Sequence, residues 1–201
     1  MRGFGRLSAR AAAHAPWSWR LLRRPVRKIF DSLAPGWDER TRADSAERRA
    51  PIAAALEHVR RSPRRVLDIG TGTGVGAFFL AQRYPEAEVV GIDLSAAMIE
   101  RANEKATGSK TSFAVADIAS YRPAEPFDLV LMLNMPPFFE QVAELVAPSG
   151  YVISIASRGP TTPYYTPAKT LERGFARRGL RTVAVQTAGE ATIHIAERPP
   201  A

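Results

Sequence analysis

The 201-residue chain contains no cysteine, which excludes disulfides, thiolate metal sites and a cysteine nucleophile together. Histidine is scarce: only His14, His58 and His194 occur. His14 falls in a basic N-terminal arm, His58 on a helix ahead of the first strand and His194 inside a terminal strand, so none is placed as a general base. No catalytic residue and no metal site is assigned from the sequence. No apolar run approaches the ~18 residues needed to cross a bilayer, and residues 1–30 lack the unbroken apolar segment of a secretory signal. A cytoplasmic location is therefore expected. The length leaves room for one domain.

Apolar residues make up 45% of the chain and charged residues 24%, the balance of a folded protein. The net charge is +8, and it is localised. Arg2, Arg6, Arg10, Arg20, Arg23, Arg24, Arg27 and Lys28 stand among residues 1–30 without one acid, so the remaining 171 residues sum to zero. The chain divides into a basic, flexible arm over 1–28 and a neutral domain over 29–201. The arm adds Trp17, Trp19, Leu21 and Leu22 before Pro25. It reads as a solvated tail, as an interfacial helix making weak contact with a membrane surface or another anionic partner, or superficially as a transit peptide. With a neutral body, nucleic acid is not the expected partner.

After a turn at Pro35-Gly36, Asp44 and Glu47 have capping-box spacing ahead of a helix with Ile52, Leu56 and Val59 on one face, which Pro51 kinks or restarts. Apolar runs at 65–69, 88–92, 111–116, 127–133 and 150–156 read as strands. They alternate with helical patterns at 74–83, 96–106 and 137–147, punctuated by Pro85 and Gly108 and capped at Ser95. That alternation predicts right-handed βαβ crossovers and a parallel sheet. The third crossover, IASYRPAEP, has no helical period. A helix at 167–178 then leads to LRTVAVQ and ATIHIAE, joined by TAGE, too short for a parallel connection and hence an antiparallel pair.

The chemistry is concentrated at strand ends. VLDIGTGTGVG carries Asp68 at the end of the first run, then Gly70, Gly72 and Gly74 before a helix: a tight turn, close backbone approach and a helix N-terminus, the elements of a nucleotide cradle. Gly72, Gly74 and Ala77 also satisfy G-x-G-x-x-A, so a nicotinamide-dependent oxidoreductase remains open. Asp93, in VVGIDLS, ends the second strand, where a carboxylate can accept both ribose hydroxyls. Asp117-Ile118, in VADIAS, follows the third strand and offers a carboxylate for an exocyclic amine with an apolar neighbour for the base.

Together with the FDLVLMLN strand and the APSGYVI turn, these residues resemble the class I S-adenosylmethionine-dependent methyltransferases, and IFDSLAPGWDERT resembles the opening of their small-molecule, ubiquinone/menaquinone-type branch. The resemblance implies a three-layer Rossmann-like α/β fold with a seven-stranded sheet in the order 3-2-1-4-5-7-6, strand 7 antiparallel. It implies S-adenosyl-L-methionine as cofactor and S-adenosyl-L-homocysteine as product. Asp68, Gly70, Thr71, Gly72, Gly74, Asp93, Leu94, Asp117, Ile118 and Asn134 would form the cofactor site, with Thr71 equally suited to stabilising the turn. Three acids suit a sulfonium better than a pyrophosphate.

Strand 4 ends in LMLNMPPFFEQ, similar to the N-P-P-F/Y signature of methyltransferases acting on nitrogen, but Met135 intervenes and that specificity is not carried over. Trp37, Met135, Phe138, Tyr164 and Tyr165, the tyrosines lying in SRGPTTPYYTP, are the candidate acceptor-binding residues. The expected acceptor is a small molecule, apolar or aromatic. A non-catalytic nucleotide-binding module with a basic arm that binds nucleic acid or a membrane is the remaining alternative.

Overall fold

The computed structural model describes residues 18–43, 45–106 and 110–201. Three helices precede the first strand: α1 (Trp19–Leu33), α2 (Trp37–Thr41) and α3 (Ala46–Leu56). Helix α1 buries Trp19 and Val26 and contains Pro25. The boundary expected after residue 28 falls inside it. Arg20, Leu21, Arg23, Arg24, Arg27 and Lys28 are exposed on α1, so a stretch that reads as a basic tail is an amphipathic helix held by a few apolar anchors. Gly36 takes a left-handed φ of 67° at the expected turn and starts α2. Ser45 caps α3, accepting from the Arg48 N–H, and the helix continues through a buried Pro51. The expected cap at Asp44 and the punctuation at Gly108 lie outside the described residues.

The remaining elements are β1 (Arg65–Ile69), α4 (Val75–Arg83), β2 (Glu88–Asp93), α5 (Ala96–Lys105), β3 (Thr111–Val115), β4 (Phe127–Leu133), α6 (Phe139–Leu145), β5 (Val146–Ala156), a 3₁₀ turn over Gly159–Thr161, α7 (Ala168–Ala176), β6 (Arg181–Ala188) and β7 (Ala191–Glu197). The sheet order is β3-β2-β1-β4-β5-β7-β6, as the resemblance implied. Strands β1 to β5 pair in parallel, while β7 runs antiparallel to both β5 and β6. Ser95 caps α5 through the Met98 N–H at 3.2 Å, and β3 reaches β4 without a helix.

Successive strand residues serve opposite faces. Leu67, Ile92, Val130 and Val152 join Phe139 and Phe175 in one core. Val66, Val89, Leu129, Ile153 and Ile195 join Ile52 and Leu80 in the other. Coverage on both faces is why these runs are almost continuously apolar.

The helix expected over 137–147 is shorter, and the strand expected from 150 begins at Val146. Phe138 adopts φ 36° and precedes the helix, and Pro137 lies outside it. Val146 pairs with Phe127, and the register shifts before Leu129 pairs with Tyr151. At Gly150 a Cβ would lie 2.8 Å from the Ala147 carbonyl oxygen and 3.0 Å from that of Phe127, so only glycine allows this crossing. None of the described helices is long and apolar enough to cross a membrane.

Candidate functional site

A cavity of about 1060 Å³ opens along the carboxyl ends of β1 to β5, under α1, α2 and the start of α3. It is lined by Asp68 from β1, Asp93 from β2, Asp117 after β3, Asn134 after β4 and Ser157 after β5. The sheet order thus converts five separated segments into one row.

Asp68 is 2% exposed, and its Oδ2 accepts a 2.7 Å hydrogen bond from Thr71 Oγ1. Burial pushes its carboxyl up to about 7, against the pull of the Thr71 and Ala77 hydrogen bonds and with a further rise from Asp93. Thr71, itself 7% exposed, is committed to this carboxylate. Gly76 lets α4 approach so closely, since a Cβ there would lie 2.7 Å from Asp68 Oδ2. Gly72 has φ 55°, and a Cβ on it would meet nothing nearer than Trp37 Nε1 at 3.5 Å, so its substituent would enter the cavity. Bare backbone at Gly72 keeps that space free.

Asp93 accepts from the Gly72 N–H at 2.9 Å through Oδ2 and from the Ser95 N–H at 2.9 Å through Oδ1. Burial raises its carboxyl while these backbone donors lower it. One carboxylate therefore locks the glycine turn to the start of α5 and still lines the cavity. Leu94 and Ile118 line the wall beside it.

Asp117 is already engaged. Its Oδ1 accepts from Trp19 Nε1 at 2.8 Å and from the Ala119 N–H at 3.0 Å, and Arg23 lies 3.4 Å from Oδ2. A ligand amine at this carboxylate would share it with Trp19 or replace that indole. The contact was invisible in the sequence because Trp19 stands in an arginine-rich stretch 98 residues away.

Asn134 has φ 59°, and its Oδ1 accepts the Ser157 N–H at 2.8 Å, which ties the tip of β4 to that of β5. Its amide nitrogen is the group left for a ligand. Met135 packs so closely over Gly70 that a Cβ there would lie 2.2 Å from its sulfur. Trp37, Met135 and Tyr164 line the cavity, joined by Phe30, whose ring lies 5.8 Å from Trp37 and 6.5 Å from Tyr164.

Three expected site residues lie elsewhere. Gly74 is absent from the cavity wall and forms the left-handed N-cap of α4 at φ 93°. Phe138 is 2% exposed and packs edge-on against Trp19 at 5.0 Å, so it is a core ring. Tyr165 also lies outside the lining, its N–H donating to the Thr162 carbonyl. His14 lies outside the described residues, and the two described histidines stay away from the cavity: His58 Nε2 lies 3.0 Å from Gln186 Oε1, and His194, held near 4 by burial, stacks on Phe175. Among the described residues no cluster of His, Cys, Asp or Glu is arranged to hold a metal.

Arg48 and Arg158 also line the cavity, as do Arg40, Arg42, Glu47 and Glu190. No sequence signal distinguished the two arginines in a chain with 28 basic residues.

Comparison with known proteins gives a consistent neighbourhood. A methyltransferase domain model matches residues 66–150. The malonyl-[acyl-carrier protein] O-methyltransferase of Halorhodospira halophila is 37% identical over 151 residues, 70% of this chain and 50% of that protein. The demethylmenaquinone methyltransferase of Deinococcus radiodurans is 39% identical over 113 residues, 52% of this chain and 46% of its own length. The chain spans about half the length of these curated relatives. The N-methyltransferase NodS of Bradyrhizobium japonicum, solved with S-adenosyl-L-homocysteine, superposes with a TM-score of 0.62 at 20% identity, covering 78% of this chain and 89% of that one.

Proposed function

We propose that the chain is a class I S-adenosylmethionine-dependent methyltransferase, a reading supported by the domain model over residues 66–150 and the similarity to the Halorhodospira enzyme, and that it transfers a methyl group to a small acceptor with an apolar or aromatic body. The observation that carries this reading is the convergence of Asp68, Asp93 and Asp117 on one cavity, beside a glycine turn whose bare backbone leaves it open. The donor set fits the cofactor. Asp93 would hold the ribose, Asp117 with Ile118 the adenine, and Asp68 with the Gly70–Gly72 backbone and Asn134 the aminocarboxypropyl end. When bound, S-adenosylmethionine supplies an electrophilic methyl group on a cationic sulfur.

The chain's own contribution is positioning. Holding two reacting groups in line can lower a barrier by ~7 to 11 kcal/mol through orientation alone. Asp68 and Asp93 are fixed by the backbone and side-chain donors described above, so the cofactor meets acceptors that need little reordering. Trp37, Phe30, Met135 and Tyr164 wall the acceptor end with apolar surface that excludes water. The acceptors named for the relatives, a malonyl-[acyl-carrier protein] and a demethylmenaquinone, differ too much to choose between for this chain.

A screen of small phenols, quinones and amines, read as S-adenosyl-L-homocysteine release, tests the activity, and release with none of them would count against this acceptor class. The exposed cations of α1 around Leu21 also support the expected weak contact with an anionic surface. Sedimentation with phosphatidylglycerol vesicles at low and high salt measures it, and salt-independent or absent binding removes it.

A further inference from the structure

Arg48 projects from the first turn of α3, and its Nε is buried without a hydrogen-bond partner. No carboxylate among the described residues lies within ion-pair distance of its guanidinium; Glu47 beside it pairs with Arg42 at 3.0 Å instead. Arg158, on the loop after β5, lines the same cavity, close enough for its charge to act on Arg48. Burial and the nearby Arg158 charge both depress the Arg48 guanidinium. A buried polar group is normally hydrogen-bonded, and among the described residues neither guanidinium is ion-paired although Glu47 and Glu190 line the same cavity, so the arrangement is unfinished. Both are fixed at the backbone. The Arg48 N–H is capped by Ser45 Oγ at 3.2 Å, and the Arg158 N–H donates to Thr162 Oγ1 at 3.0 Å while its carbonyl accepts from Thr161 Oγ1 at 2.8 Å.

We propose that Arg48 and Arg158 bind an oxyanion, a carboxylate or phosphate ester, carried by the methyl acceptor, which makes the acceptor a small aromatic or apolar anion. The inference rests on the methyltransferase reading and specifies its acceptor. The guanidinium fork matches either oxyanion with two parallel hydrogen bonds. Ser157, already held at the cavity wall by Asn134, offers a hydroxyl beside them. The sheet order separates Arg158, just beyond β5, from the cofactor acids. With neighbouring strands ~4.8 Å apart, the β5 tip stands ~10 Å from that of β1 and ~15 Å from that of β2. The apolar wall of Trp37, Met135 and Tyr164 gives the body of such a molecule its own surface.

The test is calorimetry on the full chain saturated with S-adenosyl-L-homocysteine, titrated with phenylacetate, benzyl phosphate and the neutral benzyl alcohol. At least one anion should bind about tenfold or more tightly than the alcohol, as a charge-assisted hydrogen bond allows, and the tighter of the two identifies the oxyanion. Arg48→Met and the exposed Arg158→Gln should each reduce that preference while leaving S-adenosyl-L-homocysteine affinity unchanged. Equal binding of anions and alcohol, or no anion binding, overturns the proposal. So does an Arg48→Met variant that loses S-adenosyl-L-homocysteine affinity but keeps that for methylthioadenosine, because the guanidinium would then serve the cofactor's own carboxylate. Failure of the unaltered chain to bind S-adenosyl-L-homocysteine would instead refute the methyltransferase reading beneath it.

Discussion

Replacing Asp68 by asparagine should stabilise the ligand-free protein at neutral and alkaline pH while weakening the cofactor site. Asp68 is 2% exposed, and burial carries its carboxyl from an ordinary value of 3.8 to about 7. Below about pH 4 the group is protonated in both folded and unfolded chains and adds no penalty. Between about pH 4 and 7 the folded protein retains a proton that the unfolded chain has released, so stability falls as pH rises through this window. Above about pH 7 both states are ionised and the folded state carries the whole cost of a buried charge. A difference of about 3 in pKa corresponds to about 4 kcal/mol, an order-of-magnitude figure and a large share of an ordinary domain's stability. Asparagine keeps the shape and one oxygen for Thr71 but cannot ionise. Urea unfolding of both proteins from about pH 4 to pH 8 should show the variant gaining on the wild type by about 2 to 4 kcal/mol across the window. Subtracting the two curves removes contributions from other groups, including Asp93. A variant-minus-wild-type difference that stays constant with pH would refute the reasoning.

Four other outcomes follow from the same geometry. Because the ammonium group of the ligand's amino-acid end favours ionised Asp68, S-adenosyl-L-homocysteine should bind more tightly as pH rises from about 5.5 to 7.5, and calorimetry showing the opposite trend would exclude that contact. Asp93→Ala removes the shared acceptor of Gly72 and Ser95 and should weaken the same ligand by ~1 to 3 kcal/mol, whereas unchanged affinity would separate Asp93 from the ribose. Trp19→Phe frees one partner of Asp117 and should tighten S-adenosyl-L-homocysteine several-fold while lowering the melting temperature; weaker binding would mean that the indole supports the ligand rather than competing with it. Gly76→Ala drives a Cβ toward Asp68 and Leu131 and should cost ~1 to 3 kcal/mol of unfolding free energy, with a wild-type melting curve as the contrary result.

The parts of the molecule legible in the sequence are those where local pattern and tertiary role coincide. Asp68 and Asp93 each end an apolar run that must be a buried strand, and a residue at such an end reaches the crevice wherever parallel strands adjoin. The β6–β7 hairpin was equally plain, because the four residues TAGE between its two apolar runs permit little else, and in the structure the link is only Gly189-Glu190. Helix α1 was obscured by its outward face: the arginines dominate its composition, and only Trp19, Val26 and the Asp117 contact show that it packs. Phe138 looked like an acceptor contact because it follows β4, but its left-handed φ of 36° turns the ring into the core beside Trp19. The early start of β5 was hidden by Pro148 and Gly150, residues that weaken a strand pattern and here mark a bulge. Arg48 and Arg158 come together only through the packing of α3 against β7, β6 and β5, which no local pattern encodes.

A crystal structure of the full chain with S-adenosyl-L-homocysteine addresses the central claim at the atoms concerned. The account predicts the ribose hydroxyls on Asp93, the homocysteine portion between Asp68, Gly70 and Asn134, and open space beyond the sulfur toward Tyr164 and Arg158. An adenosine bound away from Asp93, or a ligand lying across the β5 end of the cavity, would contradict it.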